Sequence, residues 1–174
     1  MTIVLIGPMG AGKSSVGRKL AKRLGRRFFD TDAMLVSRHG AIPKIFAEKG
    51  EAEFRVLERA AVAEALEQNG VVSLGGGAVL NEDTQAQLSA HHVALLTVSE
   101  QVIAERIRGG NRPLLTDGIA SWKAIADARA PIYARLADVV FDTSRRPIEH
   151  VVTDLAAWAN DRISEKTIKK DTST

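Results

Sequence analysis

At 174 residues and 18.8 kDa the chain is the size of one domain with a core of its own. With 45% hydrophobic and 26% charged residues it excludes disordered, collagen-like and coiled-coil classes, and having no Cys it excludes a disulfide framework, a thiolate metal site and a catalytic thiol. The 24 Lys plus Arg against 21 Asp plus Glu leave a net charge of +3, which suits a small anionic ligand as well as a nucleic acid and selects neither.

In chain order, the β-branched run at residues 2–6 predicts a strand ending at Gly7, and Val16, Leu20 and Leu24 predict a helix closed by Gly25. Phe28 and Phe29 predict a second strand. A long helix over about 51–68, with Phe54, Leu57, Ala61 and Ala65 on one face, stops at Gly70 and is followed by a buried strand at 71–74. After Gly75, Gly76 and Gly77 come a short helix opened by Asn81, a strand at 93–98 and a helix capped by Ser99. A polar loop through Asn111, Arg112, Pro113, Asp117 and Gly118 leads to a helix at about 119–136, a strand at 139–141 and a final helix entered at Pro147. Its buried side is expected to hold Ile148, Val151, Val152, Leu155 and Trp158 or Ala159. Five short strands alternating with helices predict a three-layer α/β/α domain on a parallel sheet. The polar residues 164–174 read as a frayed tail.

No apolar run is long enough for a membrane span or a signal-peptide core, so the chain reads as cytoplasmic. The acid-free stretch from Lys13 to Arg27 holds seven basic residues, but no aromatic is interleaved before Phe28 for base stacking, so a solvated helix face is preferred to a nucleic-acid patch.

Directly after the first strand, Gly7-Pro8-Met9-Gly10-Ala11-Gly12-Lys13-Ser14 satisfies G-x-x-x-x-G-K-[ST] at every fixed position. In such a loop the glycines let the backbone N–H groups close around a phosphate, and the helix starting near Lys13 adds the positive end of its dipole. Lys13 is placed to reach the β- and γ-phosphates and Ser14 to coordinate Mg²⁺. Nucleoside triphosphate binding follows. Neither N-K-x-D nor D-x-x-G occurs, which argues against a GTPase switch and leaves small phosphoryl-transfer enzymes.

Asp30-Thr31-Asp32 ends the second strand, where an extended segment would turn both carboxylates to one side, toward the metal and the attacking hydroxyl. An Asx turn and helix cap at Asp32 is the competing reading. The triple glycine at 75–77 permits close approach of backbone N–H groups to a ligand, and Arg55, Arg112 and Arg129 are each, taken singly, commoner as surface charges.

Together these segments resemble shikimate kinase over about residues 3–155: Gly7 to Ser14, Phe29-Asp30-Thr31-Asp32, Ile45-Phe46 with Gly50-Glu51 and Phe54-Arg55, Leu74-Gly75-Gly76-Gly77-Ala78-Val79, Arg112-Pro113-Leu114-Leu115, and Arg129-Ala130-Pro131-Ile132-Tyr133. The resemblance implies a P-loop fold of the nucleoside monophosphate kinase type in one domain at 1–163, with a substrate-binding region at about 32–60, a lid at about 109–118 and monomeric behaviour. It implies transfer of the ATP γ-phosphate to shikimate, with Mg²⁺ as cofactor and with neither nucleic acid nor membrane as partner. Carried onto this sequence, it assigns Gly10, Ala11, Gly12, Lys13, Ser14 and Ser15 to ATP, with Arg112 on the phosphates and Arg146 near the adenine. Ser14 is assigned to the metal, with Asp30 acting on it through water. Asp32, Arg55, Gly75, Gly76, Gly77 and Arg129 are assigned to shikimate, and Asp32, Lys13 and Arg112 to catalysis. Another small-molecule P-loop kinase, such as a gluconate or cyclitol kinase, is the alternative, and a nucleotide-binding regulatory module the more remote one.

Overall fold

A computed structural model of the chain describes the backbone of residues 2–108 and 118–171 and the side chains of residues 2–105 and 118–164. Its five strands are β1 (Ile3–Ile6), β2 (Phe28–Asp30), β3 (Val71–Ser73), β4 (His92–Thr97) and β5 (Val139–Asp142). They form one parallel sheet in the order β2-β3-β1-β4-β5, with Ile3 level with Val71 and His92, and Ala94 level with Val139. β1 is central, and its four residues are fully covered because helices close both faces.

The period of two in β1 divides the core. Ile3 and Leu5 pack with Val16, Leu20, Val151, Val152 and Leu155 of α1 (Lys13–Arg23) and α7 (Ile148–Asp171), while Val4 and Ile6 face Val62, Ala65 and Leu66 of α3 (Ile42–Leu66). The other helices are α2 (Thr31–His39), α4 (Glu82–Leu88), α5 (Glu100–Arg108) and α6 (Gly118–Leu136), with a short 3₁₀ turn at Ala78–Leu80. Gly17 lies on the packed side of α1, where a Cβ would stand 2.5 Å from the Phe28 ring and 3.1 Å from Leu5.

Two features depart from the sequence reading. Helix α2 begins immediately at the end of β2, so Asp30 and Asp32 do not share an extended segment. The Asp30 side chain caps α2 by accepting from the Ala33 N–H at 3.1 Å, and Asp32 sits in the first helical turn. The long helix starts at Ile42 rather than near 51; Gly50, at φ 78°, breaks it into two helical stretches, of which residues 51–66 are the one that the apolar spacing reveals. Leu35, Ile45, Phe54 and Ala61 then form a separate small core between α2 and α3. The backbone of α7 continues as helix to Asp171.

Several basic residues of α1 and of the turn after it are paired within the fold. Arg18 stacks on Phe28 and Arg27 on Phe29, Lys19 pairs with Glu149, and Arg23 donates to Thr153 at 3.0 Å. No helix among the described residues is long and apolar enough to cross a membrane.

Candidate active site

The parallel sheet presents the carboxyl ends of β1 and β3 side by side, and a cavity of about 690 Å³ opens there. Its rim on one side is the loop that follows β1. Gly7, at φ 139°, runs so close to the Leu96 carbonyl of β4 that a Cβ would overlap it. Glycine at this position is therefore a packing requirement as well as a conformational one. Gly12, at φ 85°, caps α1 and hands the loop to the helix, leaving the first helical N–H groups facing the cavity with no acidic residue in that turn. Gly10, Gly12, Lys13, Ser14 and Ser15 line the space, and Ala11 is buried beneath it. Lys13 Nζ donates to the carbonyls of Gly7 and Pro8 at 2.8 and 3.0 Å, which holds the ammonium over the loop. Two side chains missing from the sequence reading brace the loop from outside. Trp122 Nε1 donates to the Met9 carbonyl at 2.8 Å, and the Thr143 hydroxyl stands 2.9 Å from the carbonyls of both Ala11 and Thr97.

The opposite rim is the glycine triplet after β3. At each of its three positions a Cβ would meet a charged side chain: Asp32 Oδ1 at 2.5 Å and Glu58 Oε1 at 3.0 Å at Gly75, Arg129 Nη1 at 3.6 Å at Gly76, and Arg55 Nη1 at 2.6 Å at Gly77. Three elements thus deliver a carboxylate and two guanidinium groups to one short stretch of bare backbone: α2 brings Asp32, α3 brings Arg55 and α6 brings Arg129. The buried Thr31 hydroxyl fixes the arrangement by accepting from the Gly75 N–H at 3.0 Å and reaching the Ser73 carbonyl at 3.4 Å, which ties the start of α2 to the end of β3. Nothing but adjacency to two aspartates marked Thr31 in the sequence.

Burial pushes the Asp32 carboxyl up from an ordinary value of 3.8 to about 6; the Asp30 charge adds to the rise, Lys13 opposes it and Glu58 contributes further. Burial works against the Arg55 charge, but bonds to Glu58 at 2.7 Å and Glu51 at 3.2 Å outweigh it and hold the guanidinium above its ordinary range. Glu58 is itself buried, the second carboxylate of the pocket floor, and apolar helix periodicity could not single it out. Phe46 and Phe54, with ring centroids 4.4 Å apart, close the side next to Arg55.

Of the sequence-predicted residues, the cavity collects Gly10, Gly12, Lys13, Ser14, Ser15, Asp32, Arg55, Gly75, Gly76, Gly77 and Arg129. Asp30 lies behind the lining as the cap of α2, close enough to act on Asp32 through its charge. Arg146 is not drawn in: its guanidinium pairs with Asp154 at 2.7 Å on an exposed stretch. Arg112 and the segment 109–117 lie outside the described residues.

The donor set fits a nucleotide-bound Mg²⁺ better than an all-protein metal cage. Among the described residues no cluster of three His, Asp or Glu side chains could hold a metal ion, whereas Mg²⁺ usually takes one or two protein oxygens beside phosphate oxygens and water. Ser14 is exposed at the loop, and the repulsion between Asp30 and Asp32 is of the kind that a nearby cation relieves.

Comparison with known proteins agrees with this geometry. The sequence model of the shikimate kinase family matches residues 9–160. A shikimate kinase of Thermobifida fusca is 47% identical over 157 residues, covering 88% of this chain and 91% of its own, and one of Streptomyces coelicolor is 44% identical over 153 residues, covering 86% and 90%. Among solved structures, shikimate kinase from Acinetobacter baumannii in complex with shikimate superposes with a TM-score of 0.81 at 33% identity, covering 95% of this chain and 93% of that one. A gluconokinase from Sinorhizobium meliloti shares the fold at a TM-score of 0.62, with 21% identity. A phosphate loop alone would fit either kinase, but the family match extends through the loop, the glycine triplet and the residues that meet there, and the chain belongs to the shikimate kinase family.

Proposed function

We propose that this member of the shikimate kinase family performs the family's reaction, ATP plus shikimate to ADP plus shikimate 3-phosphate in aromatic amino acid biosynthesis, with the residues that converge on the cavity. The observation that carries the reading is the meeting of Asp32, Arg55 and Arg129 on Gly75, Gly76 and Gly77, across from Lys13 and the phosphate loop.

In this mechanism the loop amides of residues 10–15 and the Lys13 ammonium hold the β- and γ-phosphates, with Lys13 exchanging its two carbonyl partners for phosphate oxygens. Arg55 and Arg129 grip the shikimate carboxylate, a planar anion that guanidinium forks match. Held there, the 3-hydroxyl comes under Asp32, which orients it and accepts its proton as the oxygen attacks the γ-phosphorus. A carboxyl poised near 6 is ionised at neutral pH and still basic enough to take that proton. The Phe46 and Phe54 wall and the glycine backbone exclude water that would otherwise compete as acceptor. Ser14, and Asp30 through water, would hold Mg²⁺, whose chemistry is to neutralise phosphate charge and orient the γ-phosphoryl group.

The same reading assigns residues 1–163 to one kinase domain, about 32–60 to acceptor binding and about 109–118 to a lid. Arg112 neutralises charge on the phosphoryl group in transfer, and Arg146, two residues from the cavity-lining Ile148, would exchange its Asp154 partner for a contact with the base. It describes a cytoplasmic monomer. An ADP-release assay comparing shikimate with gluconate, nucleoside monophosphates and water tests the reading, and equal rates with and without shikimate would refute it.

A further inference from the structure

Helix α6 bridges the two rims of the cavity. Near its start Trp122 donates to the Met9 carbonyl of the phosphate loop, and three turns later the Tyr133 hydroxyl donates to the Gly76 carbonyl at 2.6 Å. Arg129 lies one turn before Tyr133 on the same face, the i to i+4 spacing at which side chains meet. Between them stands Pro131, which has no N–H to give the helix, so backbone bonding is weakest where the relative placement of Arg129 and Tyr133 is set.

We propose that the Tyr133 hydroxyl is a positioning residue for shikimate: anchored to the Gly76 carbonyl, its oxygen faces the Arg129 guanidinium and aims that fork at the carboxylate subsite. The inference rests on the reading of Arg129 as a carboxylate ligand. Tyr133 is 2% exposed, so its ring is immobilised among apolar neighbours and its oxygen has a fixed location. Arg129 Nη1 passes 3.6 Å from where a Gly76 Cβ would be, so guanidinium, phenol and carbonyl share one small volume. Burial raises the Tyr133 phenol while the Arg129 charge and hydrogen bond oppose the rise, as an oxygen facing a guanidinium requires. The phenol therefore donates to Gly76 and accepts from Arg129, the only combination that uses its single proton and satisfies both neighbours. A trans peptide points its N–H opposite to its C=O, so holding the Gly76 carbonyl toward α6 also turns the Gly77 N–H away from that helix.

The test is steady-state kinetics of the full chain and of Tyr133→Phe, which keeps the ring and loses the hydroxyl. The expected result is a rise of about tenfold in KM for shikimate, with KM for ATP and kcat within about twofold, the pattern of a lost uniform binding interaction. In an Arg129→Ala background the same substitution is expected to add almost nothing, because the group it aims is gone. An unchanged shikimate KM in a folded Tyr133→Phe variant overturns the proposal. So does a parallel rise in both KM values, a penalty that persists in full without Arg129, or failure of the Phe variant to fold, which would make the hydroxyl a folding requirement. Failure of the functional reading shows elsewhere, as absence of shikimate-dependent ADP release by the unsubstituted chain.

Discussion

Asp32→Asn should make the protein more stable and nearly inactive, with a stability gain that depends on pH in a calculable way. The carboxyl titrates near 3.8 when exposed and at about 6 in the fold. The folded state therefore holds this proton more tightly, and the ionised form is disfavoured by about 3 kcal/mol at 1.36 kcal/mol per pH unit. Below 3.8 Asp32 is protonated folded or unfolded and costs nothing; the penalty grows as pH rises from 3.8 to about 6 and is constant above. Asn carries no charge at any pH. For a chain this long, with about 2–4 °C per kcal/mol, the variant should melt some 6–12 °C higher at pH 8 and gain about a third of that at pH 4.5. Thermal melts of both proteins at the two pH values measure it. An equal gain at both, or a variant less stable at pH 8, would refute the claim that a buried, repelled charge sits at Asp32. Turnover should fall by about 10² to 10⁴, the usual worth of a general base, while nucleotide affinity persists because the phosphate loop is untouched.

Arg129→Ala should raise KM for shikimate by at least about thirtyfold, the low end of about 2–5 kcal/mol for truncating one partner of a desolvated charge pair; an unchanged value removes it from the carboxylate clamp. Gly77→Ala places a Cβ 2.6 Å from Arg55 Nη1, so the guanidinium must move. Because the end of a side chain yields cheaply, the expected signature is a raised shikimate KM with little change in Tm. Gly17→Ala is the converse: a Cβ 2.5 Å from the Phe28 ring and 3.1 Å from Leu5 should cost toward the upper end of about 1–3 kcal/mol by overpacking, against the roughly 1 kcal/mol that helix propensity returns. Denaturant melts should show the loss, with activity per folded molecule retained.

The phosphate site was legible because its chemistry is local. Gly7 to Ser14 are contiguous, the glycine spacing dictates the loop, and a strand before it with a helix after it sets the direction of the dipole. The alternating β-branched runs and helical periods were sufficient for five parallel strands covered on both faces, as β1 with Ile3 and Leu5 on one side and Val4 and Ile6 on the other illustrates. Arg55 and Arg129 were assigned to shikimate through family resemblance, since each taken alone is commoner as a surface charge, whereas Asp32 by its own position stood between facing the acceptor and capping a helix.

What the sequence by itself determined is therefore the class of fold, the triphosphate loop and the set of charged side chains available to an acceptor. Tertiary structure decided which of them act together. The β2-β3-β1 strand order brings residues 32, 55 and 129 to one glycine triplet, a relation between positions up to 97 apart that no local pattern contains. It also decided that Asp30 caps a helix while Asp32 faces the cavity, because the chain leaves the strand between them. Thr31, Glu58, Trp122 and Tyr133 were invisible as functional positions for the same reason: each acts by a hydrogen bond or ion pair whose partner the fold supplies. The altered basicity of Asp32 is likewise a property of its burial and of the charges gathered around it, so it exists only once the chain has closed over the site.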